Sequence, residues 1–211
     1  VQLMKVRAAL IWDMEEEDVS FDKGTFLCAK TEDTISFRDL SARLMGTGGP
    51  ISCSVSDASP GSGPIIAGNL VDVEVDPETG KVDILRYTAF MDVGTAIHPS
   101  YVEGQIQGGT VQGIGWALNE GYVYDESGAM LNSSFLDYRM PTSLDVPMID
   151  TVMIEVPNSK HPFGVRGVGE APIIPPLPAL AIAVSNAIGV KMNNLPLTPD
   201  VILDALESKG E

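Results

Sequence analysis

The sequence predicts an α+β fold of mixed, mainly antiparallel sheets with packed helices, on three observations. Apolar stretches with period two turn back on themselves across Asp22-Lys23-Gly24 and across Asp76-Pro77-Glu78-Thr79-Gly80. Apolar residues at helical spacing, some behind capping residues, mark separate helices. Strands and helices mingle without the regular strand-helix repeat of a parallel α/β sheet. With 211 residues, 44% of them hydrophobic, the chain has enough apolar material for a substantial core.

Taken in order, Leu3, Val6, Leu10 and Ile11 fall at helical spacing and predict an opening amphipathic helix that breaks before the acidic EEED at 15 to 18. VSF at 19 to 21 and TFLCAK at 25 to 30 predict a hairpin. A short helix over Ser36 to Met45 follows, with Ser36 placed to cap the backbone of Asp39. From Gly46 to Gly68 the composition shifts to Gly, Ser and Pro, which predicts a connection. With no Lys-Ser or Lys-Thr following and no clear helix start, a plain connection is favoured over a nucleotide loop. NLVDVEV at 69 to 75 and KVDILRYTAFMDVG at 81 to 94 predict a second hairpin. In the next stretch Ile106, Thr110, Ile114 and Leu118 share a helical face, yet Gly104, Gly108, Gly109, Gly113 and Gly115 weaken the helix and imply a close neighbour. YVYDESGAML predicts a further hairpin, TVMIEVP at 151 to 157 a strand, and PALAIAVSNAIG a buried helix stopped at Gly189. A last helix runs from a Thr198 cap and Pro199 to a stop at Gly210.

Lys and Arg number 13 against 29 Asp and Glu, a formal charge of -16, which argues against nucleic acid and anionic membranes as partners. No stretch reads as the roughly 20 apolar residues of a membrane span. Cys28 and Cys53 have no CxxC spacing and His98 and His161 no ligand spacing, so no zinc or iron-sulfur site built by this chain is expected. Two isolated thiols fit a reducing, cytoplasmic setting. The start, VQLMKVRAALIW, has neither a signal layout nor an initiating Met, so the chain is expected to be part of something longer.

No nucleophile-elbow sequence is present, so hydrolysis by an activated serine is unsupported. The residue that stands out is Glu170 in VRGVGEAPIIPP, a carboxylate between a glycine pair and a run of prolines and aliphatics. Dry surroundings would suit a carboxylate acting as a base, and pairing with Arg166 or another cation in a loop is the plainer alternative. Gln105, Gln107 and Gln112 on a glycine-rich backbone offer amides that donate and accept at once, as recognition of a polar cofactor needs. Solvent-facing amides on a packed helix explain them equally well.

Three segments in this order, VEGQIQGGTVQGIGWALNEG, SSFLDYRMPTSLDVP and HPFGVRGVGEAPIIPP, resemble the C-terminal part of the molybdenum-binding large subunit of the xanthine dehydrogenase, aldehyde oxidoreductase and carbon monoxide dehydrogenase family. The resemblance runs over nearly all of 1–211, as one cofactor-binding domain with its connection at about 46–68, and is weakest around 46 to 64. It implies a molybdenum hydroxylase whose metal is held by a pterin, molybdopterin or its cytosine dinucleotide form, so that no side chain ligates it. It places the catalytic base on Glu170 and the cofactor-binding glutamine on Gln105. Gly108, Gly109, Gln112 and Gly113 are similar to the rest of that binding pattern, and Gly167, Val168 and Gly169 present backbone around the base. The implied substrate is an aldehyde or an aromatic N-heterocycle with water as the oxygen source. Implied partners are the remaining portion of the molybdenum subunit, and iron-sulfur clusters and FAD on other domains or subunits. The family's subunit is several times longer, so the isolated chain is expected to be inactive, and a non-catalytic binding or assembly module is the alternative.

Overall fold

The computed structural model describes residues 1–56 and 63–209, and the chain divides into two compact units, Val1–Ala58 and Ser59–Glu211. Part of the Gly/Ser/Pro connection, 57–62, and the stop expected at Gly210 lie outside the described residues.

In the first unit helix α1 (Gln2–Trp12) packs on an antiparallel sheet of order β1-β2-β3, formed by Val19–Asp22, Thr25–Cys28 and Thr34–Ser36. The β1-β2 hairpin forms as expected. Lys23 and Gly24 both take positive φ, 45° and 82°, the two-residue turn whose twist matches that of the strands. Helix α2 (Phe37–Ala42) begins at Ser36, whose Oγ accepts the Asp39 N–H at 3.0 Å. The α-helix ends at Ala42, short of Met45, and Leu44–Thr47 continues as a 3-10 turn. The face expected to bury α1 is not the one it buries. Met4, Ala8 and Ala9 enter the core beside Phe26 and Leu40, while Leu3 and Leu10 remain 49% and 61% exposed. Apolar residues run almost all the way round this helix, so their periodicity does not select a face. The small Ala8 and Ala9 allow the closest approach to the sheet.

The second unit is built on a sheet of order β4-β5-β6, with β4 at Ala67–Val75, β5 at Val82–Asp92 and β6 at Ile149–Ile154. Val71, Val73 and Val75 alternate toward the core, and α4 (Pro176–Ile188) packs against β4 through Leu180, Val184 and Ile188. Each of these buried aliphatics contributes about 1.5–3 kcal/mol of burial free energy. The β4-β5 hairpin forms with a slip between Asp72 and Val73, opposite Leu85. The slip sends Leu85 and Arg86 both outward, so that Ile84 and Tyr87 on either side both face inward. β6 pairs with β5 in parallel, which makes helix α3 (Pro99–Leu118) part of a crossover between them. Residues 122 to 131 turn back as expected, in a minimal hairpin of one antiparallel bridge, Tyr124 to Met130, with the Leu131 N–H donating to the Val123 carbonyl at 2.8 Å and the Asp125 N–H to the Ala129 carbonyl at 3.0 Å. Side chains satisfy the backbone there: Asp125 Oδ1 accepts from Ser127 and Ala129, and Asn132 Oδ1 from Val123. Helix α5 (Pro199–Lys209) closes the chain, its Ile202 fully buried.

One segment corrects the sequence reading on membrane spans. Ala171–Ile188, 18 residues of mean hydropathy 1.6, is long and apolar enough to cross a membrane by composition. Its α-helical part is 13 residues, about 20 Å at 1.5 Å per residue, against a hydrocarbon core of about 30 Å. Leu180, Val184 and Ile188 set one face of it into the core, while Ile182 on the other face is exposed.

Candidate functional site

Helix α3 is a continuous 20-residue helix in spite of its glycines, and its two faces differ in chemistry. Ile106, Thr110, Gly113, Ile114 and Ala117 are buried. Gln105, Gly108, Gln112 and Trp116, at spacings of three, four and four, form an exposed stripe. Gln107, the third amide of the sequence motif, turns elsewhere and donates to the Ile149 carbonyl at 3.4 Å.

The loop 165–170 runs beside this stripe. Val165 bridges to Gly94, and the Arg166 N–H donates to the Val93 carbonyl at 3.2 Å. At the other end Gln105 Nε2 donates to the Gly169 carbonyl at 3.3 Å, joining two sequence motifs 64 residues apart. Gly167 and Gly169 are exposed and Val168 is half-buried. The chain then makes a 3-10 turn, Ala171–Ile173, with Glu170 at its start. A Cβ on Gly109 would lie 2.8 Å from Pro172 Cβ, and one on Gly113 2.6 Å from the Ile173 carbonyl oxygen and 2.7 Å from Pro176 Cγ. Gly113 thus lets the turn dock on the helix and does not reach the exposed stripe. Gly108 meets nothing within 4 Å.

Two expectations about Glu170 are corrected. It is exposed, not held in dry surroundings, because Pro172, Ile173 and Pro176 after it pack down onto α3 at Gly109 and Gly113. Arg166 does not pair with it. The Arg166 Nε lies 3.0 Å from Asp92 Oδ2, with the two side chains only 13% and 12% exposed. The Nε hydrogen has no aligned acceptor, so this is an ionic contact and not a hydrogen bond. Asp92 Oδ1 also accepts the N–H groups of Gly94 at 3.0 Å and Val156 at 3.3 Å, and Arg166 Nη1 donates to the Pro64 carbonyl at 2.9 Å. Only the position of Asp92 at the end of a strand hints at this pair in the sequence.

The stripe connects two concavities. One, of about 390 Å³, is lined by Val93, His98, Tyr101, Gln105, Val168 and Gly169, with the His98 and Tyr101 rings stacked at 4.0 Å. The other, of about 280 Å³, is lined by Gln112, Trp116, Glu120, Tyr122 and Tyr138. There the Tyr138 hydroxyl donates to Glu120 Oε2 at 2.8 Å, and that carboxylate pushes the phenol pKa up to about 12. A further concavity, of about 690 Å³, holds none of the sequence-predicted residues, and Glu170 is not in its wall. Among the described residues no three His, Cys, Asp or Glu side chains gather to hold a metal.

The exposed stripe thus presents two uncharged amides and a bare glycine beside a loop that exposes its backbone, groups able to donate and accept hydrogen bonds at once. The chain belongs to the molybdopterin cofactor-binding domain family, whose profile matches residues 1–147. It is 33% identical to the 6-hydroxypseudooxynicotine dehydrogenase complex subunit gamma of Paenarthrobacter nicotinovorans, over 92% of this chain and 26% of that protein. It is 37% identical to the xanthine dehydrogenase molybdenum-binding subunit of Escherichia coli O157:H7, over 77% of this chain and 22% of that protein. Quinoline 2-oxidoreductase from Pseudomonas putida 86 shares the fold with a TM-score of 0.71 and 28% identity, over 98% of this chain and 28% of that one. The chain therefore spans about a quarter of the length of the relatives it matches.

Proposed function

We propose that this chain is part of the molybdopterin-binding subunit of an oxidoreductase that hydroxylates an aldehyde or an aromatic N-heterocycle with water as the oxygen source. The observation that carries the reading is the Gln105 to Gly169 hydrogen bond, which brings the glutamine motif and the Glu170 loop to one exposed face. The donor set fits the cofactor: Gln105 and Gln112 offer amide donors and acceptors, and Gly108 leaves the backbone between them open. When bound, the molybdenum pterin supplies the two-electron redox chemistry, its electrons leaving through iron-sulfur clusters and FAD on partner domains or subunits.

What the chain itself contributes is a proton acceptor and a frame. Glu170 is exposed and free of any ion pair with Arg166, so its carboxylate is available to accept a proton from the attacking oxygen. The glycines before it let the backbone approach a bound group closely, and the docked turn after it fixes where the carboxylate starts. Burial of Glu170 away from water then falls to the remaining portion of the subunit, which accords with a chain spanning a quarter of its relatives.

The test is Glu170→Gln in the enzyme assembled with its remaining chain. The amide keeps the shape and cannot take the proton, so molybdenum content should match wild type while kcat falls by about 10²–10⁴-fold. Turnover near the wild-type rate would remove Glu170 from the mechanism. Purified assembly without molybdenum would favour a non-catalytic module.

A further inference from the structure

We infer that the buried Asp92–Arg166 pair is a positioning device for the loop that carries Glu170; its catalytic half rests on the reading of Glu170 as the base. Three connections converge on Asp92. Its carboxylate takes N–H groups from Gly94, just past β5, and from Val156, just past β6, and it holds the Arg166 guanidinium at 3.0 Å. These are the ends of the two parallel strands, so the anchor is part of the sheet. Arg166 in turn is fixed on three further sides: its N–H to the Val93 carbonyl, its Nη1 to the Pro64 carbonyl, and its neighbour Val165 bridged to Gly94.

Beyond Arg166 the loop has little of its own to hold it. Gly167 and Gly169 supply no side chain, and Gln105 supplies the one side-chain hydrogen bond to the 167–169 backbone among the described residues. A glycine-rich segment of this kind samples many conformations unless both ends are fixed. Arg166 fixes the upstream end and the turn docked on Gly109 and Gly113 fixes the downstream end. A buried charge pair suits the task because each partner left alone would be an uncompensated charge, so the arrangement with the pair formed is strongly preferred. Arg166 touches no reacting atom in this scheme and acts only through where it leaves Glu170.

Arg166 is itself a site for trypsin, which supplies a readout independent of turnover. In the assembled enzyme Asp92→Asn should speed cleavage after Arg166 by about tenfold or more, while cleavage after Arg86 in β5 stays at the wild-type rate. The same variant should lower kcat by about tenfold with KM little changed, and make no further difference in a Glu170→Gln background, because both act on one step. Arg166→Lys should retain more of kcat than Arg166→Met, and this pair carries the kinetic test where Asn at 92 prevents folding. Unchanged cleavage after Arg166, equal acceleration at Arg86, or an equal loss of kcat with Gln at 170 would each overturn the inference. Should Glu170→Gln prove fully active, the Glu170 reading fails, and cleavage after Arg166 still decides whether the pair holds the loop.

Discussion

Gly108 and Gly113 lie on one helix and carry opposite consequences for substitution. A Cβ at 113 meets a carbonyl oxygen and a proline ring that cannot move independently of the docked turn, so Gly113→Ala should destabilise by about 1–3 kcal/mol. A Cβ at 108 meets nothing, so Gly108→Ala should stabilise by about 0.5–1 kcal/mol through helix propensity. Urea midpoints of the two variants check both signs. Gly108→Ala also sets a methyl between Gln105 and Gln112 on the proposed cofactor face. Lower molybdenum content in a more stable protein would place the cofactor against that face, and full content would remove Gly108 from it. The glycine count in the sequence correctly implied a close neighbour, but it could not apportion the effect. Gly109, Gly113 and Gly115 make close approaches while Gly104 and Gly108 make none, and that division depends on where Pro172, Pro176 and Pro141 arrive from distant parts of the chain.

Elements whose signals are local were legible, and those fixed by distant partners were not. The Lys23-Gly24 and Asp76–Gly80 turns specify their own backbone, and Ser36 caps the helix that its sequence announces. Ser36→Ala should therefore cost about 1 kcal/mol, read as faster amide exchange over Phe37–Leu40. Rates equal to wild type would mean that Leu40, fully buried, holds α2 without its cap. The parallel β5-β6 pairing was not legible, because the two strands pair across the whole of α3 and the segment after it. Nor was the phase slip at Leu85, which reads as a break in alternation until its partner strand is known. The same holds for the site. Glu170 stood out by residue type and Gln105 only through the family resemblance, whereas the Asp92–Arg166 pair joins positions that nothing in the local sequence connects.

For the molecule as a whole the dominant electrostatic fact is a charge of -16, with 29 acidic residues against 13 basic ones. Mutual repulsion of so many like charges opposes compaction, and added salt screens it. Salt also weakens the exposed ion pairs, Lys81–Asp83 and Arg86–Asp150, but such pairs are worth only about 0–1 kcal/mol each at the outset. The Asp92–Arg166 pair is shielded from solvent and responds least. Repulsion therefore outweighs attraction in the salt response, and the thermal midpoint at pH 7 should rise as NaCl goes from about 10 to 150 mM, over which the screening length falls from about 30 to 8 Å. Differential scanning calorimetry at fixed pH and protein concentration decides the sign. A midpoint that falls with salt would mean that the few cations sit where they matter more than their number indicates. In that case neutralising Arg86, on the exposed face of β5, should lower the midpoint more at 10 mM than at 150 mM NaCl, since salt weakens the attraction it removes.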